Sequence, residues 1–510
     1  MTTRFASRPT PLRLLLAIAL FVVAAAVVGV AGFAEQPAAA STAAATTPAA
    51  GSRSMGATAP DSSPASTAPT ARSTAEVSPS PSGASPSAAI PPGGVAAPAP
   101  EGLVPGSVNA TSINLTAEYQ ATVTLNFGTR SFRVSSTMTV TNTSGKAIDR
   151  LELNTIAARL GHMTLTPARV DGVAVSPTVS DQTIHLPLGG ILEPGATTTV
   201  RIGYRATLRG DTAGSNWLFT RANGILEAHR WLPWISIPTA FDRPNHGDPF
   251  VTPVSPRVRV TIVSDRRMRW ATTGEQTSPT GSTTTFEARN VRDFVFAGAP
   301  DYLTRSTTIN GVLVKVWYRP GFPAATVFSA AKTAFTRESK LLGAYPYKTY
   351  DLAQTAGGYG MESPGLTWIP SGAGNLPYLV AHETGHQWFY GIVGNDQARQ
   401  PYADEAATDF VARYILGLRR GSRCATARLD LTIYQYSSAC YYEDIYIQGG
   451  NFLDDTRRKM GSTAFWAGMR DYLAKYRFRI AGTKALLDTL DAHTPLNLVP
   501  RYEPRFPSLY

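Results

Sequence analysis

Between Ser112 and about Leu303 the chain alternates apolar and polar positions. The stretches "EYQATVTLNF", "SSTMTVTNT", "TTTVRIGYRATL", "RVRVTIVSD" and "TTTFEARNVRDFVFAG" carry period-two or β-branched patterns, as strands with one buried face do. Turn residues at Asn142–Gly145 and Pro194–Gly195 separate them. After Pro323 the period changes. "AATVFSAAKTAFTRESKLLG" sets Val327, Phe328, Ala331, Phe335 and Leu341–Leu342 at helical spacing and stops at Gly343. "TYDLAQT" reads as a short strand, and the glycine-rich "AGGYGMESPGLTWIP" follows it. Further helices are predicted over Leu376–Val393, Tyr402–Leu418, Gly450–Lys459, Thr463–Lys475 and Lys484–Leu490. The pattern therefore predicts an α+β chain: a β-sandwich or saddle-shaped sheet domain over 109–322, then a mainly helical domain over 323–510. No repeat of fixed period occurs.

The first hundred residues differ in kind. Arg4, Arg8 and Arg13 precede the uncharged run Leu14–Phe33, a basic segment followed by an apolar one, which marks export or membrane insertion. At about 20 residues the run suits an uncleaved anchor with its arginines in the cytoplasm, while small residues around Gly32–Ala40 also suit a cleavage site. Residues 1–35 are thus a signal peptide or signal anchor. Residues 36–108, rich in Ala, Ser, Thr and Pro, have too little to bury and read as a disordered tether. The rest is expected outside the cytoplasm, secreted or held at the cell membrane. Cys424 and Cys440 are the only cysteines; in an exported chain such a pair oxidises to a disulfide, two free buried thiols being the alternative.

The formal net charge of +11 raises nucleic acid as a partner, but the basic residues are dispersed and no nucleic-acid motif accompanies them. The group Arg457–Lys459, Arg470, Lys475, Arg477 and Arg479 reads as a solvated helix face, with attraction to an anionic envelope surface as the alternative.

Candidate chemistry concentrates in "HETGH", 382–386. Residues four apart share a helix face, so His382 and His386 can each offer an imidazole to one metal ion. Glu383 is one step round the helix and free to act on water. That is why HExxH reads as zinc plus a general base. Three protein ligands are needed if the fourth position is to remain open, and eighteen residues separate His386 from Glu405, which stands early in the next predicted helix.

HExxH, eighteen residues, then Glu, with "HQWF" around the second histidine, resembles the gluzincin zinc aminopeptidases, the membrane alanyl aminopeptidase family. The resemblance spans roughly 109–490. It implies a thermolysin-like zinc-peptidase domain behind the β domain, one Zn2+ per chain on His382, His386 and Glu405, and Glu383 as general base. Family members carry Gly-Ala-Met-Glu-Asn on an edge strand, where the glutamate binds the substrate α-amine. Here "YGMES" makes Glu362 that anchor, with Tyr359, Gly360 and Ser363 departing from the pattern. A Tyr-x-x-Gly helix start implies Tyr446 as oxyanion donor, in register with Gly449. If Cys424 and Cys440 bridge, they restrain the segment delivering it. "RWLPWISIPTAFDRPNHGDPF" resembles the stretch ending in a Phe-Asp-x-Pro signature, and Glu227 is the nearest candidate for a second amine-binding residue. Asp409, four after Glu405, is placed to orient His382. The large helical C-terminal domain of many relatives is expected to be absent, leaving a more open cleft. The function implied is removal of N-terminal residues from peptides. A zinc endopeptidase on the same site and a non-catalytic peptide-binding module are the alternatives.

Overall fold

The computed structural model describes residues 102–510. The expected signal or anchor, and the tether up to residue 101, lie outside them. Among the described residues no helix is long and apolar enough to cross a membrane.

The sheet-rich half rests on a nine-stranded sheet. Strand Thr116–Leu125 buries every second side chain (Ala117, Tyr119, Ala121, Val123, Leu125), and Ser131–Thr141 pairs with it antiparallel, Tyr119 opposite Met138. This alternation is what a sheet with one covered face requires. Strand Val258–Ser264 adds in parallel on the other side of Thr116–Leu125. Two four-stranded sheets complete this half, one containing Ile148–Asn154 and Thr183–Leu192, the other Ile225–Ala228 and Phe296–Ala299. One core joins all three, with Phe132 edge-on to Phe219 and Trp231.

A fourth sheet opens the second half, ordered Leu303–Ile309, Val312–Tyr318, Thr349–Gln354, Leu366–Ile369. Its hairpin turns at Asn310-Gly311, both at positive φ (50° and 81°), the conformation that Asn-Gly accepts in a two-residue turn. The next pairing is parallel, so it needs a crossover, which helix Ala324–Leu342 supplies. The hairpin Leu303–Tyr318 lies before the division expected at 322/323, yet Val312, Val314 and Val316 pack with Val327 and Phe335 in the second core. Its strands alternate like those of the first half, and only their partners distinguish them.

Helices Gly449–Met460, Ser462–Lys475 and Thr483–Asp491 fall within one residue of expectation at each end. The two bearing the motif differ from it. The first runs only over Leu376–Gly385, opened by Asn375 Oδ1 accepting from Tyr378 N–H (3.1 Å). It stops because the chain folds back on itself: Gly391 N–H donates to His386 C=O (2.8 Å), and Tyr390 takes φ 135°. The second begins as a π-helical turn, Tyr402–Ala406, and continues as α-helix Ala407–Leu416, ended by Gly417 at φ 69°. Another π-helical turn spans Tyr442–Gln448. Such turns displace side chains from α-helical register and recur at functional sites.

Candidate active site

Helix Leu376–Gly385 and the π-turn Tyr402–Ala406 bring three donors together. His382 Nε2 and His386 Nε2 lie 3.2 Å apart, and Glu405 Oε2 stands 3.3 and 3.4 Å from them. All three residues are buried, and their donor atoms form a group able to hold a metal ion. His386 Nδ1–H donates to Phe389 C=O (3.0 Å), which leaves the Nε2 lone pair facing the group. The fold-back after Gly385 provides that carbonyl, so the early helix stop fixes the tautomer. Burial pushes the Glu405 pKa up, but the two imidazoles beside it bring it down to about 2, so this carboxylate is ionised.

Asp409 makes no hydrogen bond to His382. Arg413, four residues on, claims it in a buried ion pair (2.6 Å), and the Tyr378 hydroxyl donates to its other oxygen. His382 Nδ1 is buried and has no hydrogen-bond partner.

Glu383 is buried with Oε2 unpartnered, and burial, reinforced by Glu362 and Glu405, drives its pKa well up. "YGMES" lies directly on it: a Cβ at Gly360 would stand 2.0 Å from Glu383 Oε1. Met361 makes a single antiparallel bridge to Trp368, which fixes Glu362 at the margin of the fourth sheet. Glu362 Oε1 accepts from Gln397 Nε2 (2.8 Å), and burial first of all pushes its pKa up to about 7.

Glu227 is fully buried and makes no hydrogen bond to Glu362. Its Oε1 accepts from Ala356 N–H (3.0 Å), bracing the turn before "YGMES", and burial raises its pKa to about 8. The side chain hydrogen-bonded to Glu362 is Gln397. Tyr446 lies on the π-turn Tyr442–Gln448, its ring 5.4 Å from that of His382. Burial and then Glu405 hold its pKa well above the ordinary tyrosine value, so it carries a proton to donate. Cys424 and Cys440 are joined by a disulfide, Cα atoms 5.8 Å apart, just before that turn.

Sequence reasoning passed over the support behind Glu362. Gln397 Oε1 accepts from Arg230 Nη2 (3.3 Å), Arg230 Nη2 also donates to Tyr390 Oη (2.6 Å), and Tyr390 donates to Asp293 Oδ2 (2.6 Å). This buried chain runs from the sheet-rich half into the site. Asp248 is a second buried acid near it, paired with Arg243 (2.5 Å) and His229 (3.4 Å). The only sequence signal was that "GNDQARQP" and "RPNHGDPF" flank the motif segments in chain order.

No protein-family model matches the chain. Among solved structures it is similar to an M1 zinc metallopeptidase from Deinococcus radiodurans, at 21% identity and TM-score 0.60, covering 75% of this chain and 91% of that one. A mutant of that enzyme gives 19% identity and TM-score 0.61, covering 76% and 94%. A mutant bound to a Tyr-Ser-Ala substrate gives 20% and 0.59, covering 76% and 93%. At these identities the likeness is one of fold, and the described chain has the two-domain fold of an M1 zinc metallopeptidase.

Proposed function

We propose that the protein is a zinc-dependent aminopeptidase that removes the N-terminal residue of peptides outside the cytoplasm. One observation carries this reading: a buried two-imidazole, one-carboxylate donor group lies beside an unpartnered glutamate and beside a second buried carboxylate suited to a substrate amine. The donors fit zinc, since two nitrogens and an anionic oxygen converge and Glu405 Oε2 has no hydrogen-bond partner of its own. His382, His386 and Glu405 would hold the ion, one per chain. When bound, zinc supplies Lewis acidity that polarises the scissile carbonyl and acidifies the attacking water.

The chain's own groups do the rest. Glu383 takes the proton of the attacking water and returns it to the leaving amine, a role that its raised pKa serves. Tyr446 donates its hydroxyl to the developing oxyanion. Glu362, held by Gln397, binds the α-ammonium, so one residue is released per cleavage. The subsidiary parts of the reading, a thermolysin-like catalytic half and kinship with the membrane alanyl aminopeptidase branch, rest on the motif spacing. Placement outside the cytoplasm, secreted or membrane-anchored, rests on the run Leu14–Phe33 and on the disulfide, a bond that persists in oxidising compartments. A peptide substrate is in keeping with the solved relatives, one of which is bound to a Tyr-Ser-Ala substrate and another to the amino acid L-tryptophan.

The test compares one peptide with a free and with an acetylated N-terminus, with and without a chelator. Chelator-sensitive release from the free-amine peptide alone is expected. Cleavage of the acetylated peptide makes the protein an endopeptidase. Zinc bound at one per chain with neither peptide cleaved makes it a binding module.

A further inference from the structure

The loop Gly357–Gly360 is pressed between the two halves. A Cβ at Gly357 would lie 2.8 Å from the Trp217 ring, and one at Gly360 would lie 2.0 Å from Glu383 Oε1. The backbone therefore rests on a wall of the sheet-rich half at one end and on the catalytic glutamate at the other. Between those contacts Tyr359 projects outward, 55% exposed. Its ring centroid stands 5.4 Å from that of His246 and 6.0 Å from that of Trp217. His246 lies on the segment 243–248 that supplies Asp248. Core packing does not account for so exposed a ring, and the family motif has glycine at this position.

We propose that Tyr359 and His246 form the wall that receives the first side chain of the substrate, selecting peptides that begin with a large apolar or aromatic residue. This rests on the aminopeptidase reading. The first residue's amine is held at Glu362 and its carbonyl is attacked beside Glu383, and both groups hang from one Cα. Gly360 packs directly on Glu383, so the loop's backbone lies against the reacting centre, and Tyr359, the residue before it, is the exposed ring that the first side chain meets there. Flat and bulky side chains gain from edge and face contacts with aromatic rings, whereas a methyl group falls short of them. Desolvation and then Arg243 hold the His246 pKa below the ordinary imidazole value, with Glu405 opposing, so the wall presents a neutral ring.

The test uses the full chain with zinc and the variants Tyr359→Gly, Tyr359→Phe and His246→Ala. Two quantities are read: kcat/KM for alanyl, leucyl, phenylalanyl and glutamyl p-nitroanilides, and calorimetric Kd values for L-phenylalaninamide and L-alaninamide. The parent should favour phenylalanyl over alanyl about tenfold or more in both. Tyr359→Gly should lower the phenylalanyl values about tenfold and leave the alanyl values within about twofold. Tyr359→Phe should keep the preference, and His246→Ala should lose part of it. A parent without preference, or an equal loss for both side chains, overturns the wall. A parent that binds the amides with the stated ratio but cleaves no anilide overturns the aminopeptidase reading and leaves the wall standing.

Discussion

Glu383 and Glu227 are both buried glutamates with raised pKa values, yet they predict opposite behaviour on amidation. Glu383→Gln keeps the three donors and removes the proton carrier. Zinc content by atomic absorption should stay at one per chain while kcat falls about 10²–10⁴-fold, and retention of activity would remove Glu383 from the mechanism. Glu227 hydrogen-bonds to Ala356 and to none of the proposed site side chains, so its prediction concerns stability. Its folded pKa of about 8 stands above the ordinary 4.5, so the folded state holds the proton longer. That contribution is complete below pH 4.5 and fades at up to about 1.4 kcal/mol per pH unit as pH rises toward 8. Glu227→Gln should flatten urea midpoints between pH 5 and 8, and an unchanged slope would contradict the assignment. Glu362 supplies a third pH effect: its carboxylate, with a pKa near 7, must be ionised to hold an ammonium. KM for free-amine substrates should rise as pH falls below about 7, with Glu362→Ala abolishing that trend.

Elements were legible where their own period fixed them. Val327, Ala331 and Phe335 announced helix Ala324–Leu342, and the spacing of His382 and His386 announced a shared helix face. The early stop at Gly385 was not legible, because it depends on a positive φ at Tyr390, a residue type with no preference for it. The π-turns beneath Glu405 and Tyr446 likewise leave no trace in apolar periodicity. The disulfide was expected to restrain the segment that delivers Tyr446, but the polar contacts that accompany it were not legible. Gln448 Nε2 donates to Cys424 C=O (2.7 Å), and Glu443 pairs with Arg420 (2.7 Å) and Arg423 (3.0 Å). Replacing both cysteines by serine should cost about 3 kcal/mol of stability on the chain-entropy account. It should also lower kcat more than zinc content, because Tyr446 loses its restraint while the metal donors keep theirs. Equal losses of both would show that the disulfide supports the whole domain instead.

Across the whole molecule, the sequence yielded two halves and the order of the motifs but not the contacts between halves. Arg230 reaches Tyr390 and Gln397 across 160 and 167 positions of chain, and no local pattern encodes such a meeting. Arg230→Met should destabilise by about 3–5 kcal/mol, since Asp293 keeps a buried charge with less to offset it. Because Gln397 loses its own support, KM for free-amine peptides should rise by a larger factor than kcat falls, and an unchanged KM would detach Arg230 from the amine site. The chain Asp293–Tyr390–Arg230–Gln397–Glu362 also bears on how such a protein can be rebuilt. On the proposed function, the sheet-rich half supplies part of the substrate pocket, so it is no interchangeable module. A chimera that takes this half from another protein inherits amine recognition only if the graft brings an arginine and its acid to the same two places.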